Sequence, residues 1–150
     1  VCSSDLRLAI ALAQGWHLAT GIPVVALHGM DVLAQAASGL FAGKPCWLAV
    51  DAQRNEFAVS ELHAGKPPAP IQLAAKDILL DRIRQGEIVA GPDLEKALPG
   101  SLPLFPTAAL AAQLASQLEP SAPETLTPVY LRAAQFVKAP PARAIPPIPS

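Results

Sequence analysis

The stretch CWLAVDAQRNEFAVSEL, Cys46 to Leu62, constrains the fold more than any other part of the chain. Its first run, Cys46 to Ala52, is almost continuously apolar, as a buried strand is. Its second run, Glu56 to Leu62, alternates apolar and polar residues, so one face meets the core and the other meets water. Gln53, Arg54 and Asn55 alone separate them, which turns the two runs back on each other as a hairpin. A loop from Gly65 to Pro70 follows. Ala74 to Gln85 then reads as an amphipathic helix, with Ile78, Leu79 and Ile83 inward and Lys76, Asp77, Asp81, Arg82 and Arg84 outward. Gly86 ends it. Glu87 to Gly91 reads as a strand, and Gly91-Pro92-Asp93 as its terminating turn.

The flanks extend this pattern. Arg7 to Thr20 is a helix that is apolar almost all round, so it is either buried on several sides or open to a partner. Gly21 and Pro23 stop it. Ile22 to His28 reads as a short buried strand, and Gly29 to Leu40 as a second helix with Asp31 near its start. Gly43 to Pro45 breaks the pattern and marks a lobe boundary. Further on come a short helical piece at Leu94 to Leu98 and a helix at Thr107 to Leu118, preceded by Pro106. Pro128 to Arg132 reads as a last strand, and the proline-rich residues after it as a disordered tail. The order is α/β, with a mixed sheet flanked by helices. The chain starts at Val1 rather than methionine, which reads as a fragment.

Composition narrows the function classes. The 150 residues are 51 % hydrophobic and 15 % charged, ample for a core. Aromatics are only 5 %, so that core is aliphatic. A net charge of −1 carries no basic footprint for nucleic acid, so any role in RNA metabolism runs through a partner. The two cysteines, Cys2 and Cys46, form no CxxC pair and no disulfide framework, which points to a reduced cytoplasmic setting. No run approaches the length of a membrane span. Leu8 to Ala13 is short for a signal-peptide core, with Asp5 before it and Gln14, Gly15 and His17 after it.

Motifs of catalysis are scarce. His17, His28 and His63 are spaced for no local metal motif, and no phosphate-binding glycine loop or GxSxG elbow occurs. His28, at a strand end, suits either a site or a capping role. Cys46 reads as a small buried hydrophobe. Asp51 closes a buried strand and suits either a ligand or its own turn. Gly91-Pro92-Asp93 is open to the same two readings, close approach to a ligand or strand termination.

Four motifs together carry a resemblance. LRLAIALAQGWHLATGIPVVALHGMDVLA, AVDAQRNEFAVSEL, VAGPD and PVYLR occur in the order and at the spacing found in the TsaB family. These are bacterial tRNA threonylcarbamoyladenosine biosynthesis proteins of the glycoprotease-like group. The resemblance covers Leu6 to Arg132. It departs at Val1 to Asp5, where the family has a glycine-rich signature, and at Gln53, where it has arginine, although Arg54 is adjacent. It implies actin-like, ribonuclease-H-like lobes, the first one incomplete. Residues 1–44 would be a remnant of the N-terminal lobe, 45–132 the C-terminal lobe, and 133–150 the tail. It also implies a non-catalytic, cytoplasmic subunit without a cofactor, metal ligands or catalytic residues of its own. Such a subunit supports a TsaD-like catalytic partner that modifies adenosine 37 of tRNA. A TsaE-like ATPase joins the complex, tRNA is met only through it, and a homodimer is a further form. In the family, pairing uses helices of the first lobe, so Leu8, Leu12 and Trp16 of the Arg7–Thr20 helix are the expected partner-interface residues.

Two other classes remain open to the sequence. The fold family includes ATP-binding enzymes and proteins once named as glycoprotease-like hydrolases, and the proline-rich Ala139 to Pro149 suits a polyproline-reading partner.

Overall fold

The computed structural model describes residues 3–41 and 44–131. The elements are α1 (Ser3–Thr20), α2 (Gly29–Leu40), β1 (Cys46–Asp51), β2 (Glu56–Leu62), β3 (Gln72–Ala75), α3 (Lys76–Arg84), β4 (Ile88–Gly91), β5 (Leu102–Pro103), α4 (Ala108–Ala115) and a 3₁₀ turn at Pro123–Thr125. No helix among the described residues is long and apolar enough to cross a membrane.

The hairpin forms where the alternation places it, but the face of β2 expected to meet water is covered as well: Ser60 and Leu62 are buried on it, Leu62 in the core shared with α2. Cys46 pairs with Leu62 and Asp51 with Phe57, antiparallel throughout. Its turn uses left-handed backbone at Gln53, Arg54 and Asn55, with φ of 64°, 59° and 59°. β2 continues antiparallel into β3, and β1 pairs parallel with β4, which pairs parallel with β5. The sheet order is therefore β3-β2-β1-β4-β5, a mixed sheet with β1 at its centre.

Period-two side-chain alternation divides the core between the two faces of the sheet. On one face Cys46, Leu48, Leu62 and Ala90 pack against Met30, Leu33, Ala34 and Ala37 of α2. On the other, Trp47, Ala49, Phe57, Val59 and Val89 pack against Leu79 of α3 and against Leu94 and Leu98. Each fully buried Leu or Val contributes about 1.5–3 kcal/mol of transfer free energy. Two serines, Ser60 and Ser101, are buried as well; Ser60 is fully buried opposite Leu48, and its hydroxyl donates to the Ala69 carbonyl at 2.6 Å. α2 lies on the N-terminal side of the expected Gly43–Pro45 boundary, yet it shares its core with the sheet on the other side.

Several expectations are corrected. Ile22 to His28 is extended but not a sheet strand: Val24 makes one isolated antiparallel bridge, with Ser121. A β-branched run supplies strand propensity, but a ladder also needs a neighbour, and here one bridge is what the described residues provide. Leu94 to Leu98 is a pair of turns. The Leu98 amide reaches the Leu94 carbonyl at 2.7 Å, and Pro99 and Gly100 then prevent propagation. The segment Pro128 to Leu131 is irregular rather than a strand. On α3 the buried face is turned from the expected one. Ile78 is 51 % exposed, while Arg82 lies partly buried beside Leu79 and Ile83. β3 and β5 were not expected. Arg132, the tail 133–150 and positions 1–2 and 42–43 lie outside the described residues.

Candidate functional site

Leu, Ala, Arg and Gln, all good helix formers, fill α1 and account for its length. It ends through a cap: Thr20 Oγ1 donates to the Trp16 carbonyl at 2.7 Å, and Gly21, at φ 71°, returns its amide to the His17 carbonyl at 2.8 Å. One side of the helix faces the rest of the chain, although no residue from Asp5 to Thr20 is buried. Leu6, Ile10 and Ala13 line a cavity of about 490 Å³ whose far walls are Val24–Gly29 and Thr125–Val129. Residues 8, 12 and 16 follow one i, i+4 row and so fall on the opposite side. Leu8, Leu12 and Trp16 are 71 %, 66 % and 61 % exposed. The structure thus brings the three expected interface residues into one bare row. The row is aliphatic with a single indole and no ionisable group, so it can bind by burial of apolar area but cannot perform acid–base or nucleophilic chemistry.

The other sequence candidates are locally committed. His28 Nδ1 accepts from the Met30 amide at 3.2 Å, capping α2. His17 Nδ1 lies 2.7 Å from the Ile22 carbonyl, and His63 Nε2 lies 3.1 Å from Glu61 Oε1. Asp51 Oδ1 accepts from the Gln53 amide at 2.7 Å, the turn role of the two open to it. Cys46 is buried, and burial pushes its thiol above the ordinary value, away from the reactive thiolate. Among the described residues no three His, Cys, Asp or Glu side chains gather as a metal ion would require.

Gly91 has a packing reason. A Cβ there would overlap the Ala49 carbonyl oxygen of β1 and come within 2.9 Å of Leu94 Cδ1. The glycine of the Gly91-Pro92-Asp93 turn lets β4 and β1 approach, and Asp93 then takes a left-handed φ of 52°.

One cluster escaped the sequence reading. Arg82 stacks over the Trp47 ring at 3.7 Å and pairs with Glu87 Oε2 at 3.0 Å, while the Trp47 indole N–H donates to the same oxygen at 2.7 Å. These residues come from α3, β1 and the approach to β4. No local spacing signals them, because the sheet pairing of Trp47 with Val89 creates the juxtaposition.

The fold matches solved structures. One is described as an uncharacterized protein with similarity to peptidase YEAZ from Pseudomonas aeruginosa, another as YeaZ from Pseudomonas aeruginosa. Each aligns with a TM-score of 0.60 and 21 % identity, covering 87 % of this chain and 69 % of the other. No family model matches the sequence, and no curated protein matches it. The likeness establishes a YeaZ-like fold.

Proposed function

We propose that this chain is an accessory subunit that works by pairing. Through α1 it binds and supports a TsaD-like catalytic subunit in the complex that forms N6-threonylcarbamoyladenosine at position 37 of tRNA. The single observation that carries the reading is the bare row Leu8, Leu12 and Trp16, standing on a helix whose other side faces the cavity beneath it. The YeaZ-like fold and the four TsaB-like motifs supply the choice of partner. In this reading the chain carries no catalytic residues, holds no cofactor, and meets tRNA and a TsaE-like ATPase only within the complex, in the cytoplasm. A buried Cys46 with a raised thiol pKa supports a non-catalytic role for that residue over a hydrolytic one.

Mixing the chain with the TsaD-like protein of the same organism and sizing the species by light scattering tests this. The expected result is a one-to-one complex that Leu12→Asp weakens at least a hundredfold, because a carboxylate must then be desolvated at the centre of the contact. Two separate species with the unmodified chain would refute the reading. A self-associated species abolished by Leu12→Asp would assign the row to a second copy of this chain instead.

A further inference from the structure

α1 exposes one side, yet its direction is fixed by few contacts. Its principal contact with another element is with the 3₁₀ turn. Two side-chain bonds hold it to the segment Ser121–Tyr130: Gln14 Nε2 donates to the Pro123 carbonyl at 2.7 Å, and Arg7 Nε donates to the Tyr130 hydroxyl at 3.1 Å. The Arg7 guanidinium also lies 5.9 Å from the Tyr130 ring centre. The segment is itself moored at its start. The Ser121 amide donates to the Val24 carbonyl at 2.8 Å, and Ser121 Oγ accepts from the Ala26 amide at 2.9 Å.

Beneath α1, between these anchors, lies the cavity of about 490 Å³. Side chains lining open space lack packing partners there, so close packing does little to set the helix angle. Arg7 and Gln14 are two helical turns apart, roughly 10 Å along the axis. Two anchored points at that separation define the line of a helix.

We propose that Ser121–Tyr130 is a strap that sets the pose of α1, with Arg7, Gln14 and Tyr130 as positioning residues for the contact made on its opposite side. The strap accounts for the placement of the only tyrosine in the chain, in an irregular segment far along the sequence from the helix it meets. Its consequence for pairing rests on the function proposed above; the strap itself does not.

Hydrogen exchange of the whole chain, read on peptides from α1 and from β1–β2, tests it with Tyr130→Phe, Gln14→Ala, Arg7→Met and Arg7→Lys. Loss of one anchor is expected to speed α1 exchange roughly fivefold, the effect of about one net hydrogen bond, and to leave β1–β2 unchanged. Arg7→Lys keeps a donor and restores most of the protection, whereas Arg7→Met does not. Affinity for the TsaD-like subunit falls in the same order. Unchanged α1 exchange in every variant overturns the strap, as does an equal rise in β1–β2, which would make these residues merely structural. Faster α1 exchange with unchanged pairing keeps the strap and overturns the role of α1 in pairing.

Discussion

Removing the Glu87 carboxylate is a direct test of what joins the α3 face to the sheet. Glu87 Oε2 accepts from the Trp47 indole at 2.7 Å and from Arg82 Nη1 at 3.0 Å. Trp47 is only 9 % exposed, so Glu87→Ala leaves an indole donor short of its acceptor away from water, at a cost of about 1–3 kcal/mol. The ion pair adds less. Arg82 and Glu87 side chains are 32 % and 37 % exposed, and solvent screening limits such a pair to about 1 kcal/mol. The stack of Arg82 on Trp47 survives the change. The expected loss is therefore about 2–3 kcal/mol, or roughly 4–12 °C in Tm for a chain of this size. Glu87→Gln keeps an acceptor for the indole and loses only the charge, so it costs about 1 kcal/mol. Urea unfolding followed by far-ultraviolet circular dichroism measures both, together with Glu87→Ala in a Trp47→Phe background. There the indole is already gone, and the alanine change costs no more than the ion pair. If Glu87→Ala costs as much in that background as it does beside the native Trp47, the indole bond contributes nothing and the reasoning fails.

Two further outcomes are expected. Gly91→Ala forces β4 away from the Ala49 carbonyl and destabilises by about 3 kcal/mol or more, seen as a lower urea midpoint; a change below about 1 kcal/mol would show that β1 and β4 are not so closely apposed. Cys46 has its thiol pKa raised above the ordinary 9.0 by burial, so the folded state holds that proton more tightly than the unfolded state. Its stabilising contribution is then complete below pH 9.0 and is lost as pH rises through the higher folded value. Cys46→Ala should flatten the alkaline fall in unfolding free energy, and an identical slope in the variant would count against the assignment.

Much of the central fold is legible in local pattern. The alternation of Glu56 to Leu62 and the apolar run before it place the hairpin, and a one-residue slip would take Phe57 and Val59 together out of the core they share with Leu79, Leu94 and Leu98. The bare row on α1 is legible for a similar reason: too many apolar residues at helical spacing leave one side without a place to go. What local pattern lacks is the neighbour. Val24 and Val25 have the chemistry of a strand whether or not a strand lies beside them, and the structure supplies one bridge, to Ser121. β3 escaped because Ala74 and Ala75 fit the start of a helix as well as a strand, and the pairing of Phe57 with Ala74 decides between them. Arg82 escaped because a cation on an amphipathic helix normally turns to solvent. Here its guanidinium lies over an indole contributed from a distant position in the chain.

The two rims of the sheet bear on whether copies of the chain can stack into fibres. An extended strand joining a rim needs a run of free amides and carbonyls to bond with. At one rim β5 is two residues long, and Pro103, one of the two, has no amide hydrogen to offer. The residue after it, Leu104, spends its amide on the Gly91 carbonyl at 3.1 Å. At the other rim β3 has four residues and runs directly into α3. Both rims are short, and one is chemically closed, so the sheet that holds the core offers a poor template for adding strands from another molecule.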